Sequence, residues 1–392
     1  KTMTRTNLDR RSVLAGSLAL GATGIVWPRM AFAQAAGTKN VLLVVLRGAA
    51  DGLAMLAPTG DPGFAALREA TLPNFEGARK ADSMFTIHPS FEHVGKAYGK
   101  GEALFVHATS TSYRKRSHFD GQNMLETGGT KPFAKRDGWL NRLVSLVGES
   151  AGSTPKALAI APTMPLALRG SAPASSYAPS TLPDASEDFM QRVSLLYEGD
   201  EQLGGLLSQA LETQAMASDS TLRNLRDAEA AGKLAASLMT GPGSARIAMI
   251  ELDGWDTHAN QNGAFGRAAR KLDALIGSYR TGMGEAWDDT LVLVATEFGR
   301  TARMNGTRGT DHGTGTATFL MGGSVRGGRV IADWPGLSNA ALFEQRDLNP
   351  TTSLEAVLAG ASAEHLGLDP RLTMARLFPD RATKALEGLV RS

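Results

Sequence analysis

Thr290-Leu291-Val292-Leu293-Val294-Ala295-Thr296-Glu297-Phe298-Gly299-Arg300 joins a short apolar run to a polar cluster. A β-rich run of this length reads as a buried strand. Glu297 then lies at the strand's C-terminal edge, where open α/β sheets hold their ligands. Further along, Thr310-Asp311-His312-Gly313 sets a carboxylate beside an imidazole in a Gly-rich loop, just ahead of a second apolar run, Ala317-Thr318-Phe319-Leu320-Met321. Hard oxygen and borderline nitrogen donors on adjacent loops suit a divalent metal such as zinc or manganese. Such a site points to hydrolysis.

Outward from this core the chain alternates strands and helices. Residues 40–46 (NVLLVVL), 103–107 (ALFVH), 157–161 and 246–252 (RIAMIEL) have strand character. Residues 90–98, 117–126, 138–147, 263–287 and 351–358 have helical spacing. This alternation predicts an α/β fold, a mostly parallel sheet covered on both faces. Residues 58–89 are turn-rich, and 171–184 form a Ser/Pro/Ala-rich stretch without periodicity, both expected as loops. Residues from about 186 to 238, rich in Ala, Leu, Glu and Gln, read as a helical insertion rather than a separate domain. No internal repeat is evident.

At the other end of the chain, Asp9-Arg10-Arg11-Ser12-Val13-Leu14 heads an apolar segment to Trp27, and Ala31-Phe32-Ala33 supplies a small-x-small cleavage pattern. This is the grammar of a twin-arginine signal peptide over residues 1–33, too short and wrongly flanked for a membrane anchor. Residues 34–392 would then be the exported α/β domain, periplasmic or secreted, with no transmembrane segment. The leader holds five of the 41 Lys/Arg and one of the 39 Asp/Glu, so the remainder carries 36 against 38, a net charge of −2. No basic tract is left to indicate nucleic acid or an anionic membrane surface. The chain has no cysteine, so the apolar core alone must stabilise an exported fold.

Four clusters fall at expected strand ends: Arg47-Gly48-Ala49-Ala50-Asp51-Gly52, Arg114-Lys115-Arg116-Ser117-His118-Phe119-Asp120, Asp253-Gly254-Trp255-Asp256-Thr257-His258-Ala259-Asn260-Gln261, and Glu297 and Arg300 with Asp311-His312. Each has an ordinary reading. Asp256 could cap a helix, Glu297 could pair with Arg300, and Asp311 could make an Asx-turn. Together, carboxylates and imidazoles at neighbouring strand ends favour a metal site. Ser117-His118 opens a helix, whose free N–H groups and positive dipole end suit a phosphate or sulfate group. Ser117 is therefore either a nucleophile or simply an N-cap with Asp120 in the first turn. Arg114 and Arg116 could hold the anion's other oxygens.

The leader and the motifs LLVVLRGAADGL, SHFDGQNMLETG, DGWDTHANQ and TEFGRTARMNGTRGTDHGTGTATFLMGG together resemble the domain-of-unknown-function family 1501. That family is in turn similar to the alkaline phosphatase and sulfatase superfamily. The resemblance implies a three-layer α/β/α sandwich and a site of two metal ions, usually zinc, manganese or calcium, around a nucleophile at a helix start; the departures in this chain leave one or two ions. By it, Ser117 or His118 falls at the anion end, Asp256 and His258 match the Asp/His pair after a middle strand, Glu297 stands where an Asp-His pair is usual, and His312 matches a later lone His ligand. Arg47-Gly48 stands where the superfamily has Asp-Gly. Since arginine cannot ligate, either Asp51 reaches back or one metal position is lost.

The expected function is exported, metal-dependent hydrolysis of phosphate or sulfate esters. Asp51, Asp256, His258, Glu297, Asp311 and His312 are the expected metal-site residues; Ser117, His118, Arg300 and Arg114 are the catalytic ones, with an anionic ester or glycan as substrate. The rival reading is a non-catalytic exported protein on the same scaffold, binding an anionic glycan, a metal or an exported partner protein, and Arg47 favours it. An oxidoreductase is weaker still, because no GxGxxG follows a strand and no cysteine ligand exists.

Overall fold

The computed structural model describes residues 38–179, 187–197, 225–241 and 243–391, with residues 200, 203–205, 207, 208 and 211. The expected leader and much of the expected helical insertion lie outside them. Among the described residues eleven strands follow in chain order: β1 (Asn40–Leu46), β2 (Leu56–Ala57), β3 (Thr86–Ile87), β4 (Ala103–Ser110), β5 (Ala157–Ile160), β6 (Ser175–Tyr177), β7 (Ile247–Leu252), β8 (Thr290–Thr296), β9 (Thr316–Met321), β10 (Arg329–Ile331) and β11 (Thr352–Ser353). Nine of them form one sheet in the order β10-β4-β9-β8-β1-β7-β5-β6, with β11 also on β4; β2 and β3 pair separately.

The apolar run of β1 is buried on both faces because the sheet is covered on both. Leu42, Val44 and Leu46 join a core beneath helices Glu92–Gly99, Ala228–Met239 and Gln261–Met283. Val41, Leu43 and Val45 face helices Trp139–Ala151, Leu354–Leu366 and Pro370–Leu377. Burial of each such side chain contributes roughly 1.5–3 kcal/mol. The result is the sheet covered on both faces that the alternation of elements predicts, in the three layers that the family resemblance implies. Helix Ala228–Met239, from the end of the expected insertion, packs along Gln261–Met283 as part of one outer layer. Among the described residues no helix is long and apolar enough to cross a membrane.

One strand runs against the rest. β9 is antiparallel to both β4 and β8, while the β1–β7, β1–β8 and β5–β7 pairs are parallel. The loops that leave β1, β4, β7 and β8 therefore emerge on one edge. Because β9 is reversed, the loop that enters it, carrying Asp311 and His312, arrives at the same edge. Sheet direction thus gathers the polar clusters that are far apart in sequence.

Candidate metal centre

Helix His118–Thr127 begins directly after Ser117, which sits at the N-cap with extended backbone but makes no capping bond with its side chain. A Cβ on Gly121 would lie 2.8 Å from the Phe298 ring, so glycine lets this helix approach the loop after β8. His118 stacks on Phe298 with ring centroids 5.1 Å apart. Its Nδ1 donates to Glu297 Oε1 at 2.8 Å, and Gln122, one turn on, reaches the same oxygen at 3.2 Å. Glu297 is fully buried and accepts further bonds from the Gly48 amide, 2.9 Å, and the Thr296 hydroxyl, 2.8 Å. Both its oxygens are engaged. Gly48 has φ +113°, and a Cβ there would stand 2.6 Å from the Asp256 amide nitrogen, so only glycine brings the β1 loop this close.

The other histidines repeat the His118 pattern. Nδ1 of His312 lies 2.9 Å from the carbonyl of Arg116, and Nδ1 of His258 lies 3.3 Å from Asp311 Oδ1. A carbonyl or carboxylate only accepts, so each Nδ1 carries a proton, and in the neutral ring each Nε2 offers a lone pair. These Nε2 atoms converge on Asp256. His258 Nε2 is 2.9 Å and His312 Nε2 3.2 Å from Asp256 Oδ1, and His118 Nε2 is 3.4 Å from Oδ2. His258 and His312 Nε2 are 3.0 Å apart. His118 Nε2 is buried without a hydrogen-bond partner.

Lone pairs that face one another and a carboxylate repel unless a proton or a cation lies among them. The donor set passes the fit for a cation. Bonds of about 2.0–2.1 Å in a tetrahedral zinc site put neighbouring ligand atoms roughly 3.3 Å apart, close to the 2.9, 3.2 and 3.4 Å that separate the three nitrogens from the Asp256 carboxylate, although His258 lies outside the mutually close group. Carboxylates or a carbonyl behind each imidazole are the outer contacts that orient metal-bound histidines. Among the described residues, His118, Asp256 and His312 offer ligand atoms all within 4.8 Å of one another.

Charge is arranged to match. Bonding to Glu297 raises the His118 imidazole above its ordinary value in spite of burial. Burial, reinforced by the charges of His118 and Arg300, lowers His312. Burial opposes ionisation of Asp256, yet Arg300, with His258 and His118, holds its carboxyl below the usual range. Burial opposes the Glu297 charge too, and the donors from His118, Thr296 and Gly48 overcome it. Asp311 is lowered by the Asn305 amide and by His258.

Of the expected residues, His118, Asp256, His258, Glu297, Arg300, Asp311 and His312 come together. Asp51 does not join them. Its buried carboxylate pairs with Arg68 at 2.7 Å and accepts from Gln261 Nε2 at 2.6 Å, while it also caps a short helix through the Leu53 amide. Arg114 turns back on its own loop, donating to Ser110 Oγ and to the carbonyls of Thr111 and Tyr113. Arg116 pairs with Glu344 and Asp347. Arg300 is buried and bonds Asp256 together with the hydroxyl and carbonyl of Thr310. Arg47 is held by Glu126 and Glu251, whose charges outweigh the cost of burial and raise its pKa. Sequence reading did not single out Gln122, and placed Gln261 in a cluster without a role. The spacing of His118 and Gln122, four apart on one helix face, was the available signal for the first.

The profile of a family described as "Protein of unknown function (DUF1501)" matches residues 38–375. No curated protein matches the chain. Among solved structures, an alkaline phosphatase from the Antarctic bacterium TAB5 is similar at 10% identity and a TM-score of 0.38, covering 87% of this chain and 98% of that one. The C-terminal periplasmic domain of EcEptC from Escherichia coli, in complex with Zn, is similar at 8% identity and a TM-score of 0.33, covering 73% and 74%.

Proposed function

We propose that this chain, which belongs to the DUF1501 family, is an exported hydrolase of phosphate or sulfate esters that uses one transition-metal ion. The observation that carries the reading is the approach of three imidazole Nε2 atoms to the Asp256 carboxylate, each backed by an acceptor on Nδ1. His118, His258, His312 and Asp256 would hold the ion, and Glu297, Asp311 and the Arg116 carbonyl would orient the imidazoles. A donor set rich in nitrogen suits zinc better than manganese or calcium, which prefer oxygen donors. When bound, such an ion polarises an ester oxygen and activates a nearby hydroxyl at neutral pH.

The chain's own groups then have separable tasks. Ser117, beside His118 and with no capping bond to satisfy, is the nucleophile or anchors the anion. The free N–H groups opening helix His118–Thr127 face the same anion. Arg300, buried against Asp256, positions that carboxylate rather than touching substrate. Hydrolysis breaks the bond from phosphorus or sulfur to the alcohol oxygen; water supplies the replacing oxygen and one proton passes to the departing alcohol. Export rests on Arg10-Arg11 and the apolar run after them.

Arg47 favours a second reading, a non-catalytic binding protein on the same scaffold, since a paired arginine stands where a further carboxylate ligand would be needed for a second ion. Assays of zinc- or manganese-loaded protein on 4-nitrophenyl phosphate and 4-nitrophenyl sulfate separate the two. The hydrolase reading expects turnover that a chelator removes and metal restores. Loaded protein inert on both esters would leave only the binding reading.

A further inference from the structure

Arg68, Asp51, Gln261, Thr310 and Arg300, all buried, form one hydrogen-bonded chain that ends on Asp256. Arg68 donates to Asp51 at 2.7 Å, and Gln261 Nε2 donates to the same carboxylate at 2.6 Å. On its other side Gln261 accepts from the Thr310 hydroxyl through Oε1, at 3.3 Å. That hydroxyl in turn accepts from Arg300 Nε at 3.1 Å, while Arg300 Nη2 donates to the Thr310 carbonyl and Nη1 to Asp256 Oδ1. The Thr310 amide also donates to the Thr257 carbonyl at 3.0 Å. One residue thus ties the loop of Asp256 and His258 to the loop of His312.

The direction of every bond follows from the far end. A carboxylate only accepts, so Asp51 takes the amide nitrogen of Gln261 and turns its carbonyl oxygen toward Thr310. Thr310 directs its single hydroxyl proton to that oxygen, which leaves its lone pairs for Arg300 Nε. With Nε and Nη2 both held by Thr310, the rigid guanidinium fork has one orientation, and in it Nη1 meets Asp256. A fully paired buried network of this kind fixes one geometry. We infer that Thr310, oriented by Gln261 and Asp51, is a positioning residue that holds the Asp256 carboxylate in place for the ion through Arg300. The inference deepens the proposed metal centre and rests on it for the ion. Asp51→Asn still offers Gln261 an oxygen, so that change leaves Thr310 oriented.

Zinc affinity of the full chain, by competition with a chromogenic chelator, and the visible spectrum of the cobalt(II)-substituted protein test the inference without turnover. Thr310→Val keeps the shape and removes the hydroxyl, leaving Arg300 Nε and Gln261 Oε1 unpaired. Its zinc dissociation constant is expected to rise by about tenfold or more, within the roughly 10–100-fold range of outer contacts to metal sites, and its cobalt spectrum to change. Thr310→Ser, which returns the hydroxyl, is expected to bring both readouts back. Gln261→Met releases the hydroxyl without touching Arg300 and is expected to move both in the same direction by less, which keeps the test open where Thr310→Val folds poorly. Parent affinity and an unchanged cobalt spectrum in both variants, with only the melting temperature of the metal-free protein lowered, would overturn the inference and leave the metal centre standing. A parent chain that binds neither ion, or binds both undiminished in His118→Ala, would remove the metal centre itself and the inference with it.

Discussion

Alanine in place of His118 is expected to strip the metal from the protein and to abolish ester hydrolysis with it. The side chain contributes an Nε2 atom that is buried, unpartnered and aimed at Asp256, so its loss removes a ligand and opens the site to water. Glu297→Gln is the graded counterpart. Its carboxamide keeps the shape but weakens the acceptor behind His118 Nδ1, and outer contacts of this kind are worth roughly 10–100-fold in metal affinity or activity. Asp51→Asn should act differently: zinc content stays at the parent level while stability falls, because buried Arg68 loses its counter-charge, a change that costs about 3–5 kcal/mol. Metal analysis after gel filtration, with thermal melts of the same samples, reads all three. Full zinc occupancy in His118→Ala would show that the cluster is not the metal site.

A second large effect is expected from acid. Burial pushes His88 down to about 4, with Arg270 adding to it; burial likewise holds His107 at about 4 and, with Lys39, His365 at about 3. Their bonds fit neutral rings. His107 Nδ1 accepts from the Ala108 amide while Nε2 donates to the Leu56 carbonyl, and His365 Nε2 donates to the Asn40 carbonyl. In the unfolded chain each would titrate near the ordinary value of about 6.5. As pH falls below that value the unfolded form gains protons that the folded form refuses, so stability is full above about pH 6.5 and declines toward pH 4. At about 1.4 kcal/mol per unit, His88 and His107 each account for roughly 3 kcal/mol and His365 for roughly 5 kcal/mol. The three together approach the whole stability of a domain, about 5–15 kcal/mol. Thermal unfolding should therefore shift sharply downward between pH 7 and pH 4.5, and less so in His107→Gln. A melting temperature constant across that interval would contradict the burial assigned to these rings.

Most of the sheet was legible because strands buried on both faces announce themselves. Residues 40–46 and 290–295 were read as strands from composition alone, and β1 and β8 occupy almost those bounds. The amphipathic helix expected at 138–147 appears as Trp139–Ala151. Helix Pro370–Leu377 and the short strand Ser175–Tyr177 were not legible. The first is two turns long, and the second lies at the sheet edge, where alternation is weak. The reversal of β9 leaves no local trace either, since a buried strand reads alike in both directions.

The candidate site was legible as residue types and obscure as geometry. Asp256, His258, Asp311 and His312 stood out by their setting in Gly-rich loops. The partner of Asp51 could not be found that way, since Arg68 lies seventeen residues on in a stretch that reads as turn-rich, whereas it ends the short helix Pro62–Arg68. The role that the fold suggests for Glu297, an acceptor behind His118 rather than a ligand, depends on which donors surround it. Only the packing of helix His118–Thr127 against the β8 loop reveals those donors.

X-ray absorption at the zinc edge of the metal-loaded protein tests the central claim most directly. The account predicts a single first shell of low-atomic-number ligands at about 2.0–2.1 Å, with the outer scattering of three imidazole rings, and loss of that imidazole signal in His312→Ala. A shell of six or more oxygens with no imidazole scattering would contradict it.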